Sequence, residues 1–130
     1  MSAQDADAVG GAYAQAVAVA VGREPDTIDW TPAGRAWWAD TVARLAVDRC
    51  SHVARPGQPV TGATWLPTGL RCPECTDYDS WRTGDVAPPC GRCGGDVVGP
   101  ESFGGFLQRG RVVLAVVLCA GCAPEVGAMS

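Results

Sequence analysis

RCPECTDYDSWRTGDVAPPCGRCGG, residues 71–95, is the stretch on which the reading of this chain turns. It holds two cysteine pairs, Cys72-Pro-Glu-Cys75 and Cys90-Gly-Arg-Cys93, with 14 residues between Cys75 and Cys90. A third pair, Cys119-Ala-Gly-Cys122, lies downstream. Upstream stands Cys50-Ser-His52, which carries the seventh cysteine and the chain's only histidine. Seven cysteines and one histidine are eight candidate ligands, enough to fill two four-coordinate sites with none left over. A two-residue spacer makes a tight turn that aims both sulfurs at one ion, while backbone amides past the first cysteine stabilise the thiolates. Pro73 and Gly91 suit such turns, and Gly94-Gly95 lets the chain bend away after Cys93.

The expected cofactors are therefore two Zn2+ ions in closed sites. The 14-residue spacing is close to that between the two halves of one zinc site, which predicts Cys72, Cys75, Cys90 and Cys93 around one ion. Cys50, His52, Cys119 and Cys122 then form the second, nested outside it. A cross-brace joining Cys50/His52 to Cys90/Cys93 is the main competing arrangement. An iron centre is the alternative occupant. Disulfide exchange is disfavoured because no pair opens a helix within a strand–helix–strand unit.

Residues 71–95, RCPEC…CGRCGG, resemble the zinc-ribbon class, which carries paired knuckles at the tips of antiparallel strands. The resemblance covers about a fifth of the chain. It implies a structural, nucleic-acid-binding or protein-docking module, and for the iron alternative an electron carrier of the rubredoxin kind. It fixes no activity.

The rest of the chain predicts an α+β fold: two N-terminal helices packed on a small antiparallel sheet of zinc-ribbon type. Ser2–Val21 reads as a helix, capped by Ser2, with Val9, Tyr13, Val17 and Val21 on one face. Gly10 and Gly11 weaken it by about 1 kcal/mol each, and the run AVAVAVG at 16–22 would alternatively suit a strand. After a loop at residues 22–29, Thr31 and Pro32 begin a second helix that reaches about Asp48, with Trp38, Val42, Leu45 and Ala46 on its apolar face. Strands are expected at 60–66, 96–98, 103–107 and 111–119. The last contains the apolar run VVLAVVL and is expected to be central. Residues 1–49 form a helical segment and 50–130 a zinc-ribbon-like β module, together making one domain.

Composition narrows the function classes. The net charge is −4, lysine and asparagine are absent, and all ten basic residues are arginine, as in the coding bias of a very GC-rich genome such as an actinobacterium's or its phage's. Within residues 50–122 six arginines balance six acids, so nucleic acid is a disfavoured partner and an anionic membrane is not expected. The acidic start lacks a signal-peptide pattern, and the longest apolar run, Val112–Ala120, is too short for a membrane span, which predicts a cytoplasmic protein. A reducing compartment in turn favours metal thiolates over disulfides.

With four protein ligands at each site, no open coordination position and no free histidine, catalysis is not expected. The leading expectation is a non-catalytic, zinc-stabilised protein–protein interaction module. The alternative is a nucleic-acid-binding regulator using Arg71, Arg82 and Arg92 beside the knuckles, with Trp65 and Trp81 stacking on bases, although packing over the small zinc core is the favoured reading of both tryptophans.

Overall fold

The run Val112–Leu118 lies at the centre of the fold, as its unbroken apolar character demands. In the computed structural model, which describes residues 2–20, 22, 28–55 and 57–128, the elements are α1 (Ala3–Ala20), α2 (Pro32–Leu45), β1 (Val60–Ala63), β2 (Phe103–Arg109), β3 (Val112–Leu118) and α3 (Cys122–Val126). Short 3-10 turns cover Ser51–Ala54, Pro73–Cys75 and Tyr78–Trp81. The strand order is β1-β3-β2. Residues 96–98 are not a strand, and Val21 and most of the expected loop (23–27) lie outside the described residues.

The sheet is mixed, which corrects the antiparallel expectation. β2 and β3 form an antiparallel hairpin from Phe103↔Leu118 to Arg109↔Val112, whereas β1 runs parallel to β3 from Val60↔Val112 to Ala63↔Ala115. Successive side chains of a strand point to opposite faces. Val112, Leu114, Val116 and Leu118 accordingly join one hydrophobic cluster with Trp37, Trp38, Leu45, Phe103 and Leu107. Val113 and Ala115, on the other face, are equally buried, and α1 packs on β2 and β3. A strand covered on both sides cannot alternate apolar with polar, hence VVLAVVL.

Gly10, a weakness by helix propensity, is where α1 meets the hairpin. A Cβ there would collide with the Gly110 carbonyl oxygen, so only glycine allows the approach. Asp7 of α1 accepts from the Gly110 amide at 2.9 Å beside it. Helix α2 begins as its sequence dictates: the Thr31 hydroxyl accepts from the Gly34 amide at 2.9 Å, with Pro32 in the first turn. Trp30 and Trp37 each stand edge-on to Trp38, at 5.1 and 6.2 Å between ring centroids, so three of the five tryptophans sit together around α2. No helix among the described residues is long and apolar enough to cross a membrane.

Candidate metal centres

All eight predicted ligands converge, but in a different pairing. Cys50, His52, Cys72 and Cys75 make one cluster, and Cys90, Cys93, Cys119 and Cys122 make the other; in each, the ligand atoms all lie within 4.8 Å of one another. Neither the nested nor the cross-brace arrangement occurs. Each centre takes two pairs that are consecutive in sequence. The four cysteines of the ribbon-like stretch are split between centres, so residues 71–95 do not enclose an ion of their own.

Backbone pairing decides this. The Cys50 amide donates to the Leu70 carbonyl at 3.2 Å, next to a bridge between Arg49 and Leu70. Arg71 pairs with Thr61 on the outer edge of β1, with mutual hydrogen bonds of 2.8 and 2.9 Å. These contacts lay residues 70–72 alongside residues 49–50, and the Cys72 amide donates to Cys50 Sγ at 3.2 Å. The approach is close enough that a Cβ on Gly69 would strike the carbonyl oxygens of Asp48 and Leu45. Arg111 fastens the 3-10 turn of His52 to the start of β3, donating to the carbonyls of Val53, of Arg55 at 3.0 Å and of Gln58 at 3.2 Å.

At the second centre the Gly91 amide donates to Val117 O at 2.7 Å, which sets the Cys90–Cys93 turn beside the end of β3 just before Cys119. Trp37 Nε1 donates to Gly91 O at 3.1 Å and ties the same turn to α2. Cys122 then begins α3, which packs against α2.

The distances suit metal ions. A tetrahedral ion with metal–sulfur bonds of about 2.3 Å and metal–nitrogen bonds of about 2.0 Å requires ligand–ligand edges of about 3.8 Å between sulfurs and about 3.5 Å between sulfur and nitrogen. Cys93 Sγ and Cys119 Sγ are 3.7 Å apart. His52 Nδ1 is 3.5 Å from Cys72 Sγ and 3.3 Å from Cys75 Sγ, so Nδ1 is the nitrogen turned toward the cluster. Amides point at the sulfurs as thiolates need: Arg92 N and Cys93 N to Cys90 Sγ at 3.4 and 3.5 Å, and Gly95 N to Cys93 Sγ at 3.4 Å.

The thiols of each cluster are strongly differentiated. Burial opposes the Cys50 thiolate, but the amides of Cys72, His52 and Val53 outweigh it and lower its pKa. The neighbouring Cys72 thiol, then burial, push Cys75 up to about 11. In the second cluster burial likewise opposes the Cys90 thiolate, yet backbone amides of Cys93 and Arg92 help draw it down to about 6. The Cys122 amide is the main cause of a lowered Cys119. Cys122 itself is pushed up to about 12, by burial first and then by the other three thiols. Three or four sulfurs this close do not all ionise readily without a cation, so a bound ion would displace protons from Cys75 and Cys122.

The arginines beside the knuckles are engaged with acids. Arg71 reaches Asp48 Oδ1 at 3.0 Å, Arg92 binds Glu125, and Arg82 lies 4.0 Å from Asp79. Trp81 packs between Tyr78 and Phe106, at centroid distances of 5.1 and 6.1 Å. The Tyr78 hydroxyl lies 2.5 Å from that of Tyr13 on α1, whose pKa is raised chiefly by burial. Sequence reasoning missed the pairs Arg71–Asp48, Arg92–Glu125, Trp81–Phe106 and Tyr13–Tyr78, along with Gly69 and Arg111, because each joins residues far apart in the chain. No family, characterised protein or solved structure matches the chain.

Proposed function

We propose that this is a non-catalytic zinc protein with two structural sites, serving as a protein–protein interaction module. The observation that carries the reading is the pair of four-residue clusters, with Cys93–Cys119 at 3.7 Å and His52–Cys72 at 3.5 Å, edges of the length tetrahedral zinc requires. Soft thiolates with one imidazole are the donor set that zinc favours, and four protein ligands leave no position for a substrate. Apparent zinc binding in small modules is worth about 10–16 kcal/mol, so the ions would act as staples.

A partner protein is favoured over nucleic acid by the net charge of −4 and by the pairing of Arg71, Arg82 and Arg92 with carboxylates.

The deciding experiment is metal identity and stoichiometry on protein purified without added metal, repeated on a Cys50→Ser, His52→Ala double variant. Two zinc ions falling to one support the reading. One ion in the parent refutes the two-site account, and iron with thiolate-to-metal absorbance replaces it with an electron carrier. The interaction role is tested by affinity capture with zinc-loaded against chelator-stripped protein. Repeated failure to enrich any protein over the stripped control would remove it.

A further inference from the structure

We infer that Arg92, oriented by Glu125, is a positioning residue of the four-sulfur centre that clasps its two halves together and offsets part of its negative charge. The inference rests on the reading of that cluster as a metal site.

Arg92 lies inside the Cys90–Cys93 turn, and its amide donates to Cys90 Sγ at 3.4 Å. Its guanidinium reaches across to the Glu125 carboxylate, in the first turn of α3, the helix that Cys122 begins. One side chain therefore spans the two ligand pairs, which approach from residues 90–93 and 119–122. Glu125 is held from behind as well, because its carbonyl accepts the Thr31 hydroxyl at the start of α2. Since Trp37 of the same helix donates to Gly91 O, α2 braces both ends of the clasp.

Charge gives the clasp its chemical meaning. Four thiolates around a divalent ion carry a formal −2, whereas three thiolates and a neutral imidazole carry −1. The guanidinium lies within electrostatic reach of the Cys122 sulfur. Among the described residues the nearest counterpart at the first centre is the Arg71–Asp48 pair. Arg71, next to Cys72, sends its guanidinium to the Asp48 carboxylate and to the carbonyls of Asp48 and Leu70. The more highly charged centre is the one with an arginine in electrostatic reach of a sulfur.

Groups that support metal ligands from outside are typically worth about 10–100-fold in metal affinity. The test uses the full-length, zinc-loaded chain, challenged with a chelator and N-ethylmaleimide, with alkylation followed cysteine by cysteine by mass spectrometry. Arg92→Ala should raise the rates at Cys90 and Cys122 by at least about tenfold while Cys50 and Cys72 keep the parental rate. Arg92→Lys should recover part of the loss, and Glu125→Gln should fall between Arg92→Ala and the parent.

Unchanged rates at Cys90 and Cys122 in Arg92→Ala overturn the inference. So does an equal rise at all four cysteines, which reports general loosening of the fold. An Arg92→Lys variant as labile as Arg92→Ala removes the electrostatic half, and a parental Glu125→Gln removes the role of Glu125. A parent chain that binds no zinc fails the metal reading itself, before any variant is made.

Discussion

The two centres have the same ligand count and opposite relations to the rest of the molecule. The first is built at an edge. Its ligands sit on two 3-10 turns that flank β1, and they are held by main-chain contacts among residues 48–50, 61 and 69–72. The second closes the end of the central strand and runs directly into α3, which packs on α2. Cys90 and Cys122 are members of the main hydrophobic cluster, while Cys72, though buried, is not. Similar clusters can thus sit at the edge of the core, with Cys50 packed against it, or partly within it, and what separates them is which elements the flanking backbone pairs with.

The difference predicts unequal responses to losing a ligand. Cys90→Ser should remove the second ion and destabilise the chain by more than about 4 kcal/mol, in the range where loss of a metal site dominates. The near-UV circular dichroism of the Trp30–Trp37–Trp38 group should collapse with it. Cys75→Ser, at an exposed ligand of the first centre, should lower the metal content to one ion and leave that tryptophan signal in place. Equal loss of the signal in both variants would erase the distinction between core and edge.

That distinction was only half legible beforehand. The apolar run of β3 announces a central strand, and the closed count of seven cysteines and one histidine names every member of the two clusters. The pairing was not legible, because four ligand pairs can join in several ways and the 14-residue interval argued for the wrong one. What decides it is the contact of Cys50 with Leu70, of Thr61 with Arg71 and of Gly91 with Val117, and backbone hydrogen bonds between distant residues leave no mark on side-chain type. Gly10 makes the same point. Its helix propensity is a local property, whereas its use, passing the Gly110 carbonyl, is a tertiary one.

A smaller and more local blow should separate the centres again. Gly69→Ala drives a methyl group into the carbonyls of Leu45 and Asp48, the contact that seats residues 70–72 beside Cys50. Overpacking of this kind costs about 1–3 kcal/mol. The variant should release zinc from the first centre at lower chelator concentration and retain it in the second, as read by the same cysteine-resolved alkylation. A uniform loss from both centres would show that the edge is not independent of the core.

Acidity sharpens the comparison further. Without metal, Cys75 at about 11 and Cys122 at about 12 hold protons at neutral pH, and a bound ion must expel them. The bound state carries fewer protons than the free state, so affinity rises with pH, by about tenfold per unit for each proton released. Cys90, drawn down to about 6, adds nothing above that pH because it is already a thiolate. Below it, binding must also displace the Cys90 proton, so the second centre's affinity should fall with a steeper slope there. Competition titrations with a chromophoric chelator across this range would register the change, and a slope unaltered through about pH 6 would contradict it.

The smallest effect is expected where the first centre comes nearest to imitating the second. Arg71 and Asp48 form an ion pair beside Cys72, as Arg92 and Glu125 do beside Cys93 and Cys122. Yet Arg71 Nη1 also donates to Asp48 O at 3.0 Å and to Leu70 O at 2.9 Å, so the guanidinium stays anchored when the carboxylate is removed. Asp48 is 59% exposed, and pairs this open to solvent contribute about 0–1 kcal/mol. Asp48→Asn should therefore shift the thermal midpoint by no more than a few degrees and leave alkylation of Cys50 and Cys72 at the parental rate. A selective loss of the first ion in this variant would mean that both centres depend on an acid-held arginine, and the asymmetry between them would then lie in burial alone.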